Sequence, residues 1–114
     1  MTYINDENKI KVGAILEGNA GYSMVLPVFY KVISITPSGK SAKIRRLHDV
    51  TVSTTDGFTG TKVPDANRFR DAETITRRIK VADYGFCDPY EYVSGPSCAL
   101  HVWDGRPRHF DYLD

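Results

Sequence analysis

Alternating apolar and polar positions predict a β-hairpin in the first half of the chain. Residues 28–35 are rich in β-branched and aromatic side chains, and residues 41–47 alternate between apolar and mainly basic ones. Pro37, Ser38 and Gly39 separate the two runs, and these residue types are typical of a turn. Both faces of residues 28–35 are largely apolar, which indicates a strand that is covered on both sides.

The remaining apolar runs predict further short strands, at residues 14–16, 50–54, 74–81 and 98–103. Val81, at the end of the third of these runs, is expected to face inward. Residues 18–27 contain Gly, Asn and Pro and are too long for a tight hairpin, which is typical of a binding loop in a small β domain. Residues 61–67 include Pro64 and predict an irregular link, and residues 68–73 predict at most one helical turn.

The composition agrees with this pattern. Thr, Val, Ile, Tyr, Phe and Trp together make up 40 of the 114 residues, whereas Gln is absent and Leu and Glu number five and four. Side chains with restricted χ1 favour pleated sheet over helix. We therefore predict a single mainly β domain over residues 1–114, a small, strongly bent sheet or SH3-like barrel of five to seven strands with little helix. The loop and the aromatic tail should cap it, with Trp103 as a buried anchor.

No apolar run approaches the roughly 18 residues that a membrane span needs, and the first residues lack the basic and apolar regions of a secretory signal. The two cysteines, Cys87 and Cys98, are too few for a disulfide framework, so we expect a cytoplasmic protein without membrane contact. A bridge between these two cysteines stays open at this point.

Charge is unevenly distributed, although the net charge is only +1. Residues 40–80 carry ten positive and five negative charges, and residues 81–114 carry two positive and six negative. The basic region supports nucleic-acid binding as the alternative function, because a basic stripe on a small barrel suits a phosphate backbone. The residues proposed for that role are Lys40, Lys43, Arg45, Arg46, Arg77, Arg78 and Lys80.

Chemical motifs are weak in this sequence. Cys87, Cys98, His101 and His109 are potential zinc ligands, but their spacing matches no standard site, and Cys98 and His101 would face opposite sides of a strand. The cysteines, histidines and scattered carboxylates give no recognisable nucleophilic or paired-carboxylate motif, and no Gly-x-Ser-x-Gly turn is present. We therefore expect no enzyme activity, no metal site and no cofactor.

Several short motifs recur in one group of proteins. They are Gly13-Ala-Ile-Leu16, Gly21-Tyr22, Phe29-Tyr-Lys-Val32, Lys62-Val-Pro64 and the ending Trp103-Asp-Gly-Arg-Pro107. In these motifs the chain resembles small bacteriophage and mobile-element proteins that end in a Trp-Asp-Gly-Lys/Arg-Pro motif. The resemblance implies a phage-type origin and no particular chemistry.

Together these observations predict a non-catalytic, phage-type accessory protein in the bacterial cytoplasm. It would bind and modulate a host macromolecular complex, and inhibition of a defence complex is one form of that role. Protein interfaces favour Tyr, Trp, Met and Arg, and these side chains concentrate in the loop, in residues 84–92 and in the tail. The expected contact residues are Tyr22, Met24, Tyr90, Tyr92 and Arg106.

Overall fold

Antiparallel strands carry most of the chain in the computed structural model, which describes residues 4–21, 26–54, 59–85, 87–96 and 98–111. A single 3-10 turn, η1 (Asp6–Asn8), precedes the strands in the described part. The strands are β1 (Ile15–Asn19), β2 (Pro27–Ile35), β3 (Ser41–Thr54), β4 (Thr59–Phe69), β5 (Ile75–Arg78), β6 (Lys80–Ala82), β7 (Tyr90–Ser94), β8 (Ala99–Val102) and β9 (Arg108–Asp111). The prediction of a mainly β, strongly bent sheet is confirmed.

The first sheet curls towards a barrel. Strands β6, β7, β8, β1, β2 and β3 are hydrogen-bonded in that order, and β5 pairs with the first part of β3. Since β5 runs through Ile79 directly into β6, the chain itself links the two ends of the curl. The predicted hairpin lies here as β2 and β3, and Gly39 supplies the positive φ (74°) that its turn requires.

Alternate residues of these strands fill the interior of the curl. Leu16, Val32, Ile44, Val93 and Leu100 are at most 1% exposed and belong to one hydrophobic cluster. The N-terminal segment also contributes to it, because Ile10 is buried in the same cluster and its backbone N–H donates to Glu91 Oε1 at 2.7 Å. Because successive side chains of a strand point to opposite faces, the residues between these inward-facing ones point to the outer face of the curl.

The second half of β3 leaves the curl and forms a second sheet with β4 and β9. The prediction of an irregular link at 61–67 is wrong, because β4 continues to Phe69, and the described residues 68–73 contain no helical turn. Pro64 is tolerated there since it lies opposite Asp49 beside a shift in register, and β9 pairs only with residues 59–62. The aromatic tail therefore enters a sheet, as β9, up to Asp111.

Two side chains differ from their predicted burial. Val81 is 48% exposed, because the strand expected over 74–81 is broken at Ile79 and its second part pairs with β7 instead of β3. Trp103 is only partly buried. Its ring lies edge-on to Phe29 with centroids 6.1 Å apart, and its Nε1 donates to the Arg106 carbonyl oxygen at 2.7 Å. No helix in the described ranges is long and apolar enough to cross a membrane.

Candidate functional site

The face of the curl opposite the hydrophobic cluster carries a row of side chains across five strands, of which Glu17 and Phe29 are buried. Consecutive register pairs join Lys80 to Tyr92, Tyr92 to His101, His101 to Glu17 and Glu17 to Phe29. Residues paired directly across antiparallel strands lie on the same face of the sheet. These five side chains therefore share the outer face, opposite the hydrophobic cluster.

Glu17 is a buried carboxylate at the centre of this row, with only 3% of the residue exposed. Arg108 Nε from β9 lies 3.3 Å from its Oε2, and His101 Nδ1 lies 3.7 Å from its Oε1. Among the described residues, no group donates a hydrogen bond to Oε2, although Arg108 is close. Burial raises the pKa of Glu17 above its ordinary value, Arg108 and His101 act to lower it, and Asp104 adds to the rise.

Aromatic rings lie beside the buried carboxylate. The Tyr90 and Tyr92 ring centroids are 6.3 Å apart, and the Tyr90 and His101 centroids are 6.0 Å apart at an interplanar angle of 76°. The Trp103 backbone N–H donates to the Ile15 carbonyl, which continues the β1–β8 register and places Trp103 on the same face as His101. We call Tyr90, Tyr92, His101 and Trp103 the aromatic face.

A pocket of about 320 Å³ opens beside Tyr90 and His101, and we call it the Tyr90 pocket. Its lining residues are Asn8, Cys87, Asp88, Tyr90, His101 and Val102. Asn8 reaches it from η1 because its Nδ2 donates to the Pro89 carbonyl oxygen at 3.3 Å, which joins the N-terminal segment to the start of β7. The pocket thus combines two rings with polar side chains from three parts of the chain.

The structure describes three of the five predicted protein-contact residues. Tyr90 and Tyr92 are neighbours on β7, and exposed Arg106 lies in the turn that follows Trp103. That turn is held by the Arg106 backbone N–H, which donates to Asp104 Oδ1 at 2.9 Å. The other two predicted residues, Tyr22 and Met24, lie outside the described residues.

The base of their loop is described, and Asn19 closes it. Asn19 Oδ1 accepts hydrogen bonds from the backbone N–H groups of Gly21 at 3.0 Å and Leu26 at 2.9 Å. The Ala20 N–H also donates to the Leu26 carbonyl oxygen at 2.9 Å. The two ends of the predicted binding loop are therefore fixed against each other at the end of β1.

The predicted basic set divides into two parts. Arg77, Arg78 and Lys80 are exposed and line one groove of about 330 Å³ together with Ser94, Gly95 and Pro96, while Lys40 and Lys43 are exposed near β5. Arg45 and Arg46 do not join this groove. The Arg45 guanidinium lies 4.2 Å from the Phe69 ring centroid and its Nε donates to the Asp71 carbonyl oxygen, and Arg46 lines a different pocket with Asp49.

The structure does not bring all four potential zinc ligands to one place. Cys87 and His101 line the Tyr90 pocket, His109 lies on β9, and Cys98 packs against the interior cluster. Burial raises the pKa of the Cys98 thiol, and Arg46 acts to lower it. Both cysteines are free, and the described ranges contain no cluster of three or more metal-ligating side chains.

Sequence reasoning missed Glu17, Asp88 and Asn8 as members of a site. The one available signal was Glu17 itself, an acid between apolar Leu16 and small Gly18 in a predicted strand region. A charged residue in such a position needs a partner when it is buried. The partner residues lie more than eighty positions further along the chain, where no local pattern points back to Glu17.

Comparison of the chain with protein-family models, with curated proteins and with solved structures finds no match in any of the three. The geometry of the aromatic face and of the basic groove is therefore the basis on which a function is proposed.

Proposed function

We propose that this chain is a non-catalytic binding protein that recognises a protein partner through the aromatic face. The observation that carries the proposal is the cluster of Tyr90, Tyr92, His101 and Trp103 on one outer surface, with exposed Arg106 in the adjoining turn. Tyr, Trp and Arg are the residues that most often dominate binding energy in protein interfaces. In the setting implied by the phage-type motifs, the partner belongs to a bacterial host complex, such as a defence complex in the cytoplasm.

The surroundings of the face support this role. Large rings lose little conformational entropy on binding, because each has only two side-chain torsions. Trp103 is further restrained by Phe29 and by its hydrogen bond to the Arg106 carbonyl oxygen. A surface whose large side chains are already positioned loses less entropy when a partner binds.

Photo-crosslinking tests the proposal. The chain would carry p-benzoylphenylalanine in place of Tyr92, or in place of exposed Arg68 on β4 as the matched control, and each form would be irradiated in nuclease-treated bacterial lysate. We expect one discrete protein adduct from position 92 and none from position 68, and an excess of unlabelled chain should suppress it. Absence of an adduct at position 92, or the same adducts at both positions, contradicts the proposal.

A second candidate function is nucleic-acid binding through the basic groove. The observation in its favour is that Arg77, Arg78 and Lys80 share one exposed groove, in which none of the described lining residues is acidic. Such a cluster releases counterions from a phosphate backbone, so its affinity falls steeply with salt. Replacement of Arg77 and Arg78 by Glu should abolish retention of single-stranded DNA or RNA in a gel shift, whereas Arg68→Glu should not. An unchanged shift in the double variant dismisses this candidate.

A further inference from the structure

We propose that the Tyr90 pocket takes the guanidinium group of an arginine side chain from the protein partner. This inference rests on the proposed function, since it names the chemical group that the partner brings to the aromatic face. Three features of the pocket carry it: an excess of hydrogen-bond acceptors, two ring faces, and the absence of Lys and Arg among the described lining residues.

The acceptors come from three side chains. Within the described part of the chain, the Asp88 carboxylate has neither an ion pair nor a hydrogen bond, so both of its oxygens are available. The Asn8 amide uses its Nδ2 to donate to the Pro89 carbonyl, which leaves Oδ1 as an acceptor. Both residues lie in the wall of the same pocket.

His101 supplies the third acceptor. Its Nδ1 lies 3.3 Å from the Val102 carbonyl oxygen and 3.7 Å from Glu17 Oε1. The carbonyl oxygen can accept a hydrogen bond but not donate one, and the same is true of Oε1 when Glu17 is ionised. In the neutral form of the ring these two contacts therefore favour the proton on Nδ1, which leaves Nε2 as an acceptor. Glu17 thus acts on the pocket indirectly, by fixing the tautomer of a lining residue.

The rings favour a flat cation over a compact one. Tyr90 and His101 meet at 76°, which gives the pocket two walls of different orientation. A guanidinium can lie against one ring and direct its N–H groups towards acceptors in its own plane, whereas an ammonium forms no such planar fork. Asp88 is the carboxylate of the described lining, which holds no Lys or Arg, so the local charge also favours a cation.

Peptide titration monitored by NMR tests the inference on the intact chain. The probes are acetyl-Gly-Arg-Gly-amide, its citrulline counterpart, which keeps the shape but lacks the charge, and its lysine counterpart. We expect the arginine peptide to shift the amide resonances of Tyr90 and His101 and to bind about tenfold more tightly than the citrulline peptide, as for a charge-assisted bidentate pair. Equal binding of the citrulline peptide overturns the proposal, and equal binding of the lysine peptide overturns the assignment of a guanidinium.

Two variants locate the binding. Asp88→Asn should weaken the arginine peptide about tenfold, whereas Asp83→Asn, a change at an exposed acid outside the lining, should leave it unchanged. Both positions are exposed, so neither change should unfold the chain. If Asp88→Asn binds the arginine peptide as the wild type does, the inference is wrong.

Alkylation of Cys87 gives an independent readout. This thiol is exposed and lines the pocket, so saturating arginine peptide should slow its reaction with iodoacetamide, and the citrulline peptide should not. If Cys87 is alkylated at the same rate with and without the arginine peptide, the proposal is overturned. The two hypotheses fail separately: if the photo-crosslink at position 92 persists in the Asp88→Asn background, the aromatic face still binds a protein and only the arginine assignment falls.

Discussion

Replacement of Arg108 by Met should destabilise the fold through the buried carboxylate of Glu17. Met keeps much of the length of the side chain but removes its charge. In the native structure Glu17 would then remain buried, with His101 as the remaining basic neighbour. Leaving a buried charge without its partner is more costly than replacing the whole pair.

The distance and the burial set the size of the effect. Two unit charges 3.3 Å apart attract each other by about 1 kcal/mol at the dielectric constant of water and by about 5 kcal/mol at an effective value of 20. The Glu17 side chain is 4% exposed but that of Arg108 is 48% exposed, so solvent screens part of the attraction. We expect Arg108→Met to lower the free energy of unfolding by about 2 kcal/mol at pH 7 and low salt.

The effect should depend on pH in a defined direction. Since burial raises the pKa of Glu17 above 4.5, more than half of its carboxyl is protonated in the native state at pH 4, and less negative charge is left for Arg108 to balance. The loss caused by Arg108→Met should therefore be larger at pH 7 than at pH 4. Glu17 itself contributes stability that is present below pH 4.5 and is lost as the pH rises through its raised pKa, so the wild type should lose stability relative to Glu17→Gln over this range.

Urea unfolding followed by the fluorescence of Trp103, the single Trp of the chain, measures these differences. Arg106→Met is the matched control, because this exposed arginine has no ion pair in the described part of the chain. The double variant Glu17→Gln with Arg108→Met should recover most of the lost stability. The reasoning is refuted if Arg108→Met costs the same at pH 4 as at pH 7, or if the double variant is as unstable as the single one.

Three further changes test the rest of the fold, each by the same urea unfolding. Gly60→Ala should disrupt the second sheet, because a Cβ there would overlap the Ser53 carbonyl oxygen; a wild-type midpoint would contradict the β3–β4 register. Asn19→Ala should lower the free energy of unfolding by about 1 kcal/mol, since two backbone N–H groups lose their acceptor; unchanged stability would argue that Asn19 does not hold the two ends of the loop together. Leu100→Ala should cost about 3 kcal/mol, because Leu100 is fully buried; a loss below 1 kcal/mol would place it outside the core.

Short-range sequence patterns predict those strands and turns whose own residues favour that conformation. The hairpin of β2 and β3 is predicted by its turn, in which Gly39 takes a positive φ, and by β-branched runs on both sides. Strand β4 was missed because its residues are mostly polar and include Pro64, so neither alternation nor composition marks it. Its pairing with β3 and β9 decides its conformation, and such tertiary pairing overrides weak local propensity.

The candidate site was predicted only in part, for a similar reason. Residue type alone predicts Tyr90 and Tyr92 as contact residues, and that type is visible in the sequence. Asn8 and Glu17 join them through the strand order, in which β1 lies beside β8 and η1 contacts the start of β7. No sequence spacing encodes that order, because the register of distant strands is set by the burial of their opposite faces.

The basic region shows the reverse case, in which composition groups residues that the fold separates. Seven cations lie close together in the sequence, but alternation and the register place Arg45 against Phe69 and Arg46 in another pocket. The three that share a groove are Arg77, Arg78 and Lys80. A charge count over a window of sequence therefore overstates the charge of any one surface.

The affinity of the crosslinked partner for two variants tests the central claim most directly. Purified partner would be titrated against wild-type chain, Tyr92→Ala and Arg68→Ala by calorimetry. The account predicts that Tyr92→Ala weakens binding by about 2 kcal/mol, roughly thirtyfold, as for an aromatic hot spot, and that Arg68→Ala leaves it unchanged. Wild-type affinity in Tyr92→Ala would contradict the assignment of recognition to the aromatic face.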